Sequence, residues 1–293
     1  MERCSCPDGI EELTINHCSS MIVVSFPKGG QEKLRSLTIY NCQKLIERGW
    51  GGQKTNNRSR MSMLEYVWIS GWRNLKSIIE VNCLVHLTEL MIHNCENLES
   101  FPDTLTSLKK LEIIKCPKLE VSFLGDNLTS LKELSIRNCR RMDACLPGWV
   151  WPPNLQFLII EKLKKPFSEW GPQSFPTSLV KLEIYGGGED GVSGCSQFSH
   201  LLPSSLTSLQ ITEFKNLESV SMGLQHLTSL QHLSFSFCPN LKKVTKMMNL
   251  PETLLPSLLR LEIRFNCPVL KERCSKKGSS WPQISHIPCI HIL

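Results

Sequence analysis

The sequence lacks any uninterrupted apolar run approaching the about 18 residues that a membrane-crossing helix needs. Its opening stretch, MERCSCPDGIEELTINHC, has neither the basic segment nor the apolar core of a secretory signal. Membrane insertion and secretion are therefore not expected, and a cytoplasmic, reducing environment is. Neither a GxxxxGK[ST] phosphate loop nor a GxSxG or HExxH motif occurs in the 293 residues. The eight histidines are scattered, so no nucleophile, acid–base pair or metal motif emerges, and the chain reads as a non-enzyme without a cofactor. Charge of one sign is missing as a block. The 33 basic and 27 acidic residues are interspersed, and the densest cluster, KERCSKK at Lys271 to Lys277, is too short to imply a nucleic-acid partner.

What the chain has in abundance is a repeat. Eleven segments fit LxxLxIxxCxxL with varying fidelity. The second leucine position is held by Leu13, Leu37, Val67, Leu90, Leu111, Leu134, Leu158, Leu182, Leu209, Leu233 and Leu261. Two residues on stand Ile15, Ile39, Ile69, Ile92, Ile113, Ile136, Ile160, Ile184, Ile211, Phe235 and Ile263. The alternation of apolar and polar positions predicts a short half-buried strand in each unit. Successive units start 21 to 30 residues apart, mostly 23 or 24, a period that suits a strand plus a return segment. One unit cannot fold alone: burying its four or five large apolar side chains yields ~6–15 kcal/mol, whereas ordering its backbone costs ~1–2 kcal/mol per residue. Stacking on neighbours is what makes such an array stable. The expected fold is α/β in class, a leucine-rich-repeat solenoid curved like a horseshoe. It would carry a parallel β-sheet on its concave face, about eleven irregular repeats, and little α-helix on the convex side.

Half of the fourteen cysteines occupy one repeat position. Cys18, Cys42, Cys95, Cys116, Cys139 and Cys238 come three residues after the isoleucine, and Cys267 one residue later. A small, weakly polar group at this point can fit under the turn that leaves the strand and interact with buried backbone. Trp72, Leu163, Gly187 and Phe214 stand in the same slot elsewhere, where the turn is expected to be built differently. Cys4 and Cys6 near His17 lack a second matched pair, so a zinc site is not expected. Asn57 and Asn127 lie in formal glycosylation sequons that have no meaning outside the secretory pathway. Pro102, Pro117, Pro239 and Pro256 fall between strands and favour turns over helices there. The array is expected to span 1–267 with surface loops near 47–63 and 186–199, followed by a capping tail over 268–293. In that tail Val269, Leu270, Trp281, Ile284, Ile287 and Ile290 would cover the last repeat. Only nine residues precede the first repeat at Ile10, too few for a dedicated cap at that end.

The segments LTSLKKLEIIKCPKLE, LTSLKELSIRNCRRM and LTSLQHLSFSFCPNLKKV closely resemble the repeat domain of plant nucleotide-binding leucine-rich-repeat disease resistance proteins. The ending CPVLKERCSKKGSSWPQISHIPCIHI is similar to that of their coiled-coil class, through Trp281, Pro282, His286, Ile287 and Pro288. The resemblance implies the recognition domain of an intracellular immune receptor. Its partner would be a protein, either a pathogen effector or a guarded host protein, and in the intact family there is also intramolecular contact with a nucleotide-binding domain. With no phosphate loop, the resemblance implies a sensor half or a truncated gene product, without the family's nucleotide switch. Two other readings stand beside it: an F-box-type substrate adaptor of a ubiquitin ligase, whose repeats have leucine, isoleucine and cysteine at similar spacing, and a standalone protein-binding module. A secreted or receptor-kinase ectodomain fits less well, since asparagine would be expected in the cysteine slot.

The alternate residues of each strand face away from the core. Trp68, Met91, His93, Ile114, Arg137, Ile159 and Tyr185 are such positions, and they form an apolar and aromatic series where solvent-facing residues are expected. An exposed patch of this composition marks a protein-binding face. Arg137, Lys115 and Lys162 would give its middle a basic rim suited to an acidic partner.

Overall fold

The computed structural model describes residues 2–25, 33–45, 63–78, 84–100, 105–120, 128–141, 150–161, 175–186, 199–220, 224, 226–242 and 256–293. The loops expected at 47–63 and 186–199 fall almost wholly outside these, as do Pro102, Lys162, Leu163, Gly187, Asn57 and Asn127.

The strands are β1 (Glu2–Ser5), β2 (Glu12–Asn16), β3 (Met21–Ser25), β4 (Ser36–Tyr40), β5 (Tyr66–Ser70), β6 (Glu89–His93), β7 (Lys110–Ile114) and β8 (Glu133–Arg137). They continue as β9 (Phe157–Glu161), β10 (Lys181–Tyr185), β11 (Ser208–Thr212), β12 (His232–Ser236), β13 (Arg260–Ile263) and β14 (Cys289–Ile292). Two short helices, α1 (Pro268–Cys274) and α2 (Trp281–Ile284), lie between β13 and β14. The chain divides into two compact units, one of Met1–Cys145 with Val150–Asn154, the other of Leu146–Trp149 with Leu155–Leu293. In the first, β2, β4, β5, β6, β7 and β8 form a parallel ladder in that order, and β1 pairs with β3 separately. In the second, β9 to β14 run in sequence order, again all parallel. Each unit is thus a parallel-strand solenoid, and the eleven expected strands are β2 and β4 to β13.

The register follows from the repeat, because Leu pairs with Leu and Ile with Ile from strand to strand. Leu90 is opposite Leu111 and Ile92 opposite Ile113, and in the second unit Leu182 is opposite Leu209 and Ile184 opposite Ile211. A slip by one residue would turn every leucine to solvent. One turn of the solenoid places Leu105, Leu108, Leu111, Ile113, Cys116 and Leu119 in the core with no exposed surface. A β-turn frames the strand on either side. Leu108 N–H donates to Leu105 O (3.2 Å) before β7, and Leu119 N–H donates to Cys116 O (3.3 Å) after it. Pro117 and Pro239 occupy the second position of such turns, where a fixed φ suits the geometry.

The residue just before the cysteine slot takes a left-handed backbone in repeat after repeat: His17, Asn41, Asn94, Lys115, Asn138, Glu213, Phe237 and Asn266 have φ between 51° and 62°, and Gly71 has 69°. This conformation points the residue's N–H at the next strand. Asn41 N–H donates to Ser70 O (2.8 Å), Gly71 N–H to His93 O (2.9 Å) and Asn94 N–H to Ile114 O (2.9 Å). The asparagines are explained, since Asn tolerates this region better than most residues.

The cysteine thiols do what their spacing suggests. Cys139 Sγ lies 3.2 Å from Arg137 O and 3.6 Å from Ile113 O on the preceding strand, and Cys116 Sγ lies 3.5 Å from Ile114 O and 3.8 Å from Ile92 O. Each S–H thus adds a second donor to a strand-end carbonyl that already accepts a backbone N–H, such as Ile114 O from Asn94 and Arg137 O from Lys115, and reaches a carbonyl of the preceding strand as well. The expectation that Trp72 and Phe214 demand a differently built turn is corrected here. Gly71 and Glu213 before them keep the left-handed backbone and the same N–H bond to the next strand. Only the filler changes: the Trp72 ring is buried in the slot and donates Nε1–H to Leu45 O, in the turn of the preceding repeat, at 2.8 Å.

The tail is tied into the second unit. Its last strand pairs in register with β13, Leu261 opposite Ile290 and Ile263 opposite Ile292. Leu270, Cys274, Ile284 and Ile287 are buried, while Val269, Trp281 and Ile290 are half-buried. Pro268 and Pro282 stand in the first turns of α1 and α2, where a missing N–H costs nothing.

Candidate protein-binding face

Each strand of the ladder shows its core-facing Leu and Ile to one side and three residues to the other. In-register pairing lines those three up as rows that cross the strands. In the first unit one row is Thr14, Thr38, Trp68, Met91, Glu112 and Ser135, and a second is Asn16, Tyr40, Ser70, His93, Ile114 and Arg137. Of the residues expected to form a binding face, Trp68, Met91, His93, Ile114 and Arg137 therefore sit together on four successive strands, all half-buried.

The aromatic members touch. The His17 and Tyr40 rings meet edge-on with centroids 5.0 Å apart, Tyr40 and Trp68 at 5.9 Å, and Trp68 and His93 edge-on at 6.2 Å. Such pairs add ~0.5–1.5 kcal/mol beyond the area they bury, so the run is held together as one surface. It ends in charge: His93 Nε2 lies 3.1 Å from Glu112 Oε1. The hydrogen bond from His93, supported by the cations Arg137 and Lys110, holds the Glu112 carboxyl below its ordinary range although burial opposes this. Trp68 Nε1 and Ser135 Oγ on the same face are shielded from solvent and have no hydrogen-bond partner among the described residues, an uncommon cost for a protein to carry.

The second unit presents a different face. Its strands carry Glu183, Gln210, Ser234 and Glu262 in one row. Lys181 lies over the Phe157 ring at 4.5 Å and 3.0 Å from Glu183 Oε1. Glu262, almost fully buried, is met by Arg264 Nη2 at 2.6 Å, Arg260 Nε at 3.0 Å and His232 Nε2 at 3.5 Å. Burial alone would raise the Glu262 carboxyl pKa, but Arg264 and His232 outweigh it and leave it lowered. Tyr185 is half-buried here with its hydroxyl 3.4 Å from Glu183 Oε2. Ile159 departs from the solvent-facing expectation: it is 7% exposed. Phe157 and Glu161 flank it on its own strand and Glu183 stands beside it in register, so large neighbours share its face on both axes of the sheet.

Sequence reasoning left out Tyr40, His17 and Glu112, although the same alternation that gives Trp68 also gives Tyr40 and Glu112. It also left out the first outward position of each strand, which carries Tyr66, Phe157, Lys181, His232 and Arg260. Lys115 is exposed at the left-handed position after β7. No group of metal-ligand side chains occurs among the described residues, and none of their helices is long and apolar enough to cross a membrane.

No protein-family model matches the chain. It is 29% identical over 287 residues, 94% of its length, to a protein of Arabidopsis thaliana that carries the name of a disease resistance protein, and it spans 17% of that relative. Among solved structures it is similar to the circular leucine-rich-repeat protein CroV588, with a TM-score of 0.53 and 15% identity over 95% of this chain and 42% of that one. The second likeness concerns the fold, which is a leucine-rich-repeat solenoid. Together with the repeat motifs, the first makes the chain similar to the leucine-rich-repeat domain of plant disease resistance proteins.

Proposed function

We propose that this chain, a leucine-rich-repeat domain of the plant disease-resistance type, is the recognition part of a cytoplasmic immune receptor and binds a pathogen effector or a guarded host protein. The observation that carries the reading is the contiguous run of Tyr40, Trp68, Met91, His93 and Ile114 across the outer face of the first unit's sheet. Large aromatic and apolar side chains placed on rigid strands give contact area at little entropic cost, which is what binding hot spots use. The face supplies shape and area and no activated nucleophile, so its work is binding and not catalysis. In a complete receptor, a nucleotide-binding module on the same polypeptide would be a further, intramolecular partner, and the tail over 268–293 would serve as the closing cap of the array.

Site-specific photo-crosslinking tests this. A benzophenone amino acid placed at Met91 or Ile114, in chain expressed in pathogen-challenged plant tissue, is expected to capture a discrete protein that also binds the purified chain. The same probe at Glu99, exposed and outside the sheet, is expected not to capture it. Equal capture from Glu99, or none from the face, defeats the reading.

A further inference from the structure

The outer face of the first unit is polarised along the ladder. The aromatic run lies on β4 to β6, with Glu89 and the Arg35–Glu65 ion pair at the edge of that end. At the other end β7 and β8 bring together Lys109, Lys110, Lys115, Lys132 and Arg137 against Glu112 and Glu133. Glu112 is already engaged by His93, and Glu133 by Lys110 at 3.6 Å. Lys109, Lys115 and Lys132 are exposed and have no carboxylate at ion-pair distance among the described residues. The second unit contrasts with this, because its cations Lys181, Arg260 and Arg264 are each folded onto a carboxylate of the same face, Glu183 or Glu262. Exposed lysines without a carboxylate partner among the described residues thus stand beside the apolar platform of the first unit's face, and their natural complement is negative charge beside an apolar side chain.

Building on the binding reading above, we infer that this face takes an extended protein segment in which a large aromatic or aliphatic residue precedes or follows a run of carboxylates. The large residue rests on Tyr40 and Trp68, and the carboxylates lie over β7 and β8. The spacing follows from the sheet. Neighbouring strands are about 4.8 Å apart, so β5 and β7 to β8 are separated by about 10–14 Å, which an extended chain crosses in about three to four residues. The exposed lysines of this face lie at the β7 and β8 end and Glu65 at the aromatic end is taken up by Arg35, so the carboxylates are drawn to one end and one orientation is favoured over the reverse.

The test uses the full chain and short dye-labelled synthetic peptides, read by fluorescence anisotropy. One peptide carries Trp-Leu, a short Gly-Ser spacer and four aspartates; the second has lysines in place of the aspartates; the third has a spacer too long for the span. The first is expected to bind, less tightly as salt rises, with the lysine peptide silent and the long-spacer peptide weaker. Lys115→Glu with Lys132→Glu, both at exposed positions, is expected to lower affinity about tenfold with an unchanged thermal transition, and Trp68→Ala to lower it independently. Equal binding of the lysine peptide, wild-type affinity in the lysine variant, or no binding of any peptide would overturn the inference. If photo-crosslinks from Met91 still form in that event, the face binds a protein of other chemistry; if they vanish as well, the binding reading itself fails.

Discussion

At the residue scale the turn after most of the repeat strands depends on two neighbours with separate duties. The first adopts the left-handed backbone, and the second, usually cysteine, donates to carbonyls from beneath. Gly71 shows the first duty most sharply, because a Cβ there would stand 2.5 Å from Asn41 Oδ1 in addition to sitting at φ 69°. Gly71→Ala should cost about 1–2 kcal/mol, the lower end if the Asn41 side chain swings aside, and urea unfolding would measure it. No change would mean that the turn relaxes out of the left-handed region without loss. The thiols show the second duty. Trp72 fills the same position without sulfur, its indole N–H donating instead to Leu45 O in the turn of the preceding repeat.

At the element scale, adjacent strands are locked by backbone ladders whose side chains cross-link on the outer face. The contact between His93 of β6 and Glu112 of β7 is one such link, and its pH dependence has a definite sign. The Glu112 carboxyl sits below its usual 4.5 in the folded chain, chiefly through the His93 hydrogen bond. The ionised form thus favours folding. This contribution is complete above the ordinary carboxylate value and is lost as pH falls through the depressed one. His93→Phe should move the Glu112 titration upward, as followed by side-chain carbon NMR, and reduce the loss of stability on acidification. An unshifted titration would assign the depression to Arg137 and Lys110 instead. Strand positions were legible because leucine and isoleucine recur with period two inside a repeat of some two dozen residues. The strand β14 was not, since CIHI carries no leucine–isoleucine signature and is ordered by pairing with β13. The β1 and β3 pair escaped notice for the same reason: ERCS and MIVVS are separated by a complete repeat strand and meet only once that strand is in place.

At the scale of the whole molecule, the cysteines report on the stacked core. Ten cysteines, from Cys6 to Cys289, are free thiols. Cys116 and Cys238 are fully buried, and each thiol is pushed up by its hydrogen bond to a neighbouring cysteine and by burial. Burial alone pushes Cys274 up to about 11. Cys18 and Cys289 are half-buried. Maleimide labelling of the native chain, read by mass spectrometry, should therefore modify Cys18 and Cys289 before the other eight of these ten cysteines. Cys116, Cys238 and Cys274 should react only when their repeats open. Early labelling of Cys116 would show that the stack opens locally far more easily than a close-packed core allows.

The sequence by itself determined the repeat, the strand in each unit, the in-register parallel sheet and the residues of the core, because each follows from local periodicity and the need to bury leucine. It also determined that Trp68, Met91, His93, Ile114 and Arg137 lie outward. Tertiary structure decided what those outward residues become. Identical strand positions form an aromatic platform ending in basic residues in the first unit and a closed mesh of ion pairs in the second, and Ile159 is covered although its position in the pattern is the same as that of Trp68. The reason is physical: alternation fixes which side of a strand a residue faces, whereas exposure, charge pairing and ring contact depend on which residues stand beside it on the neighbouring strands, tens of positions away in the chain.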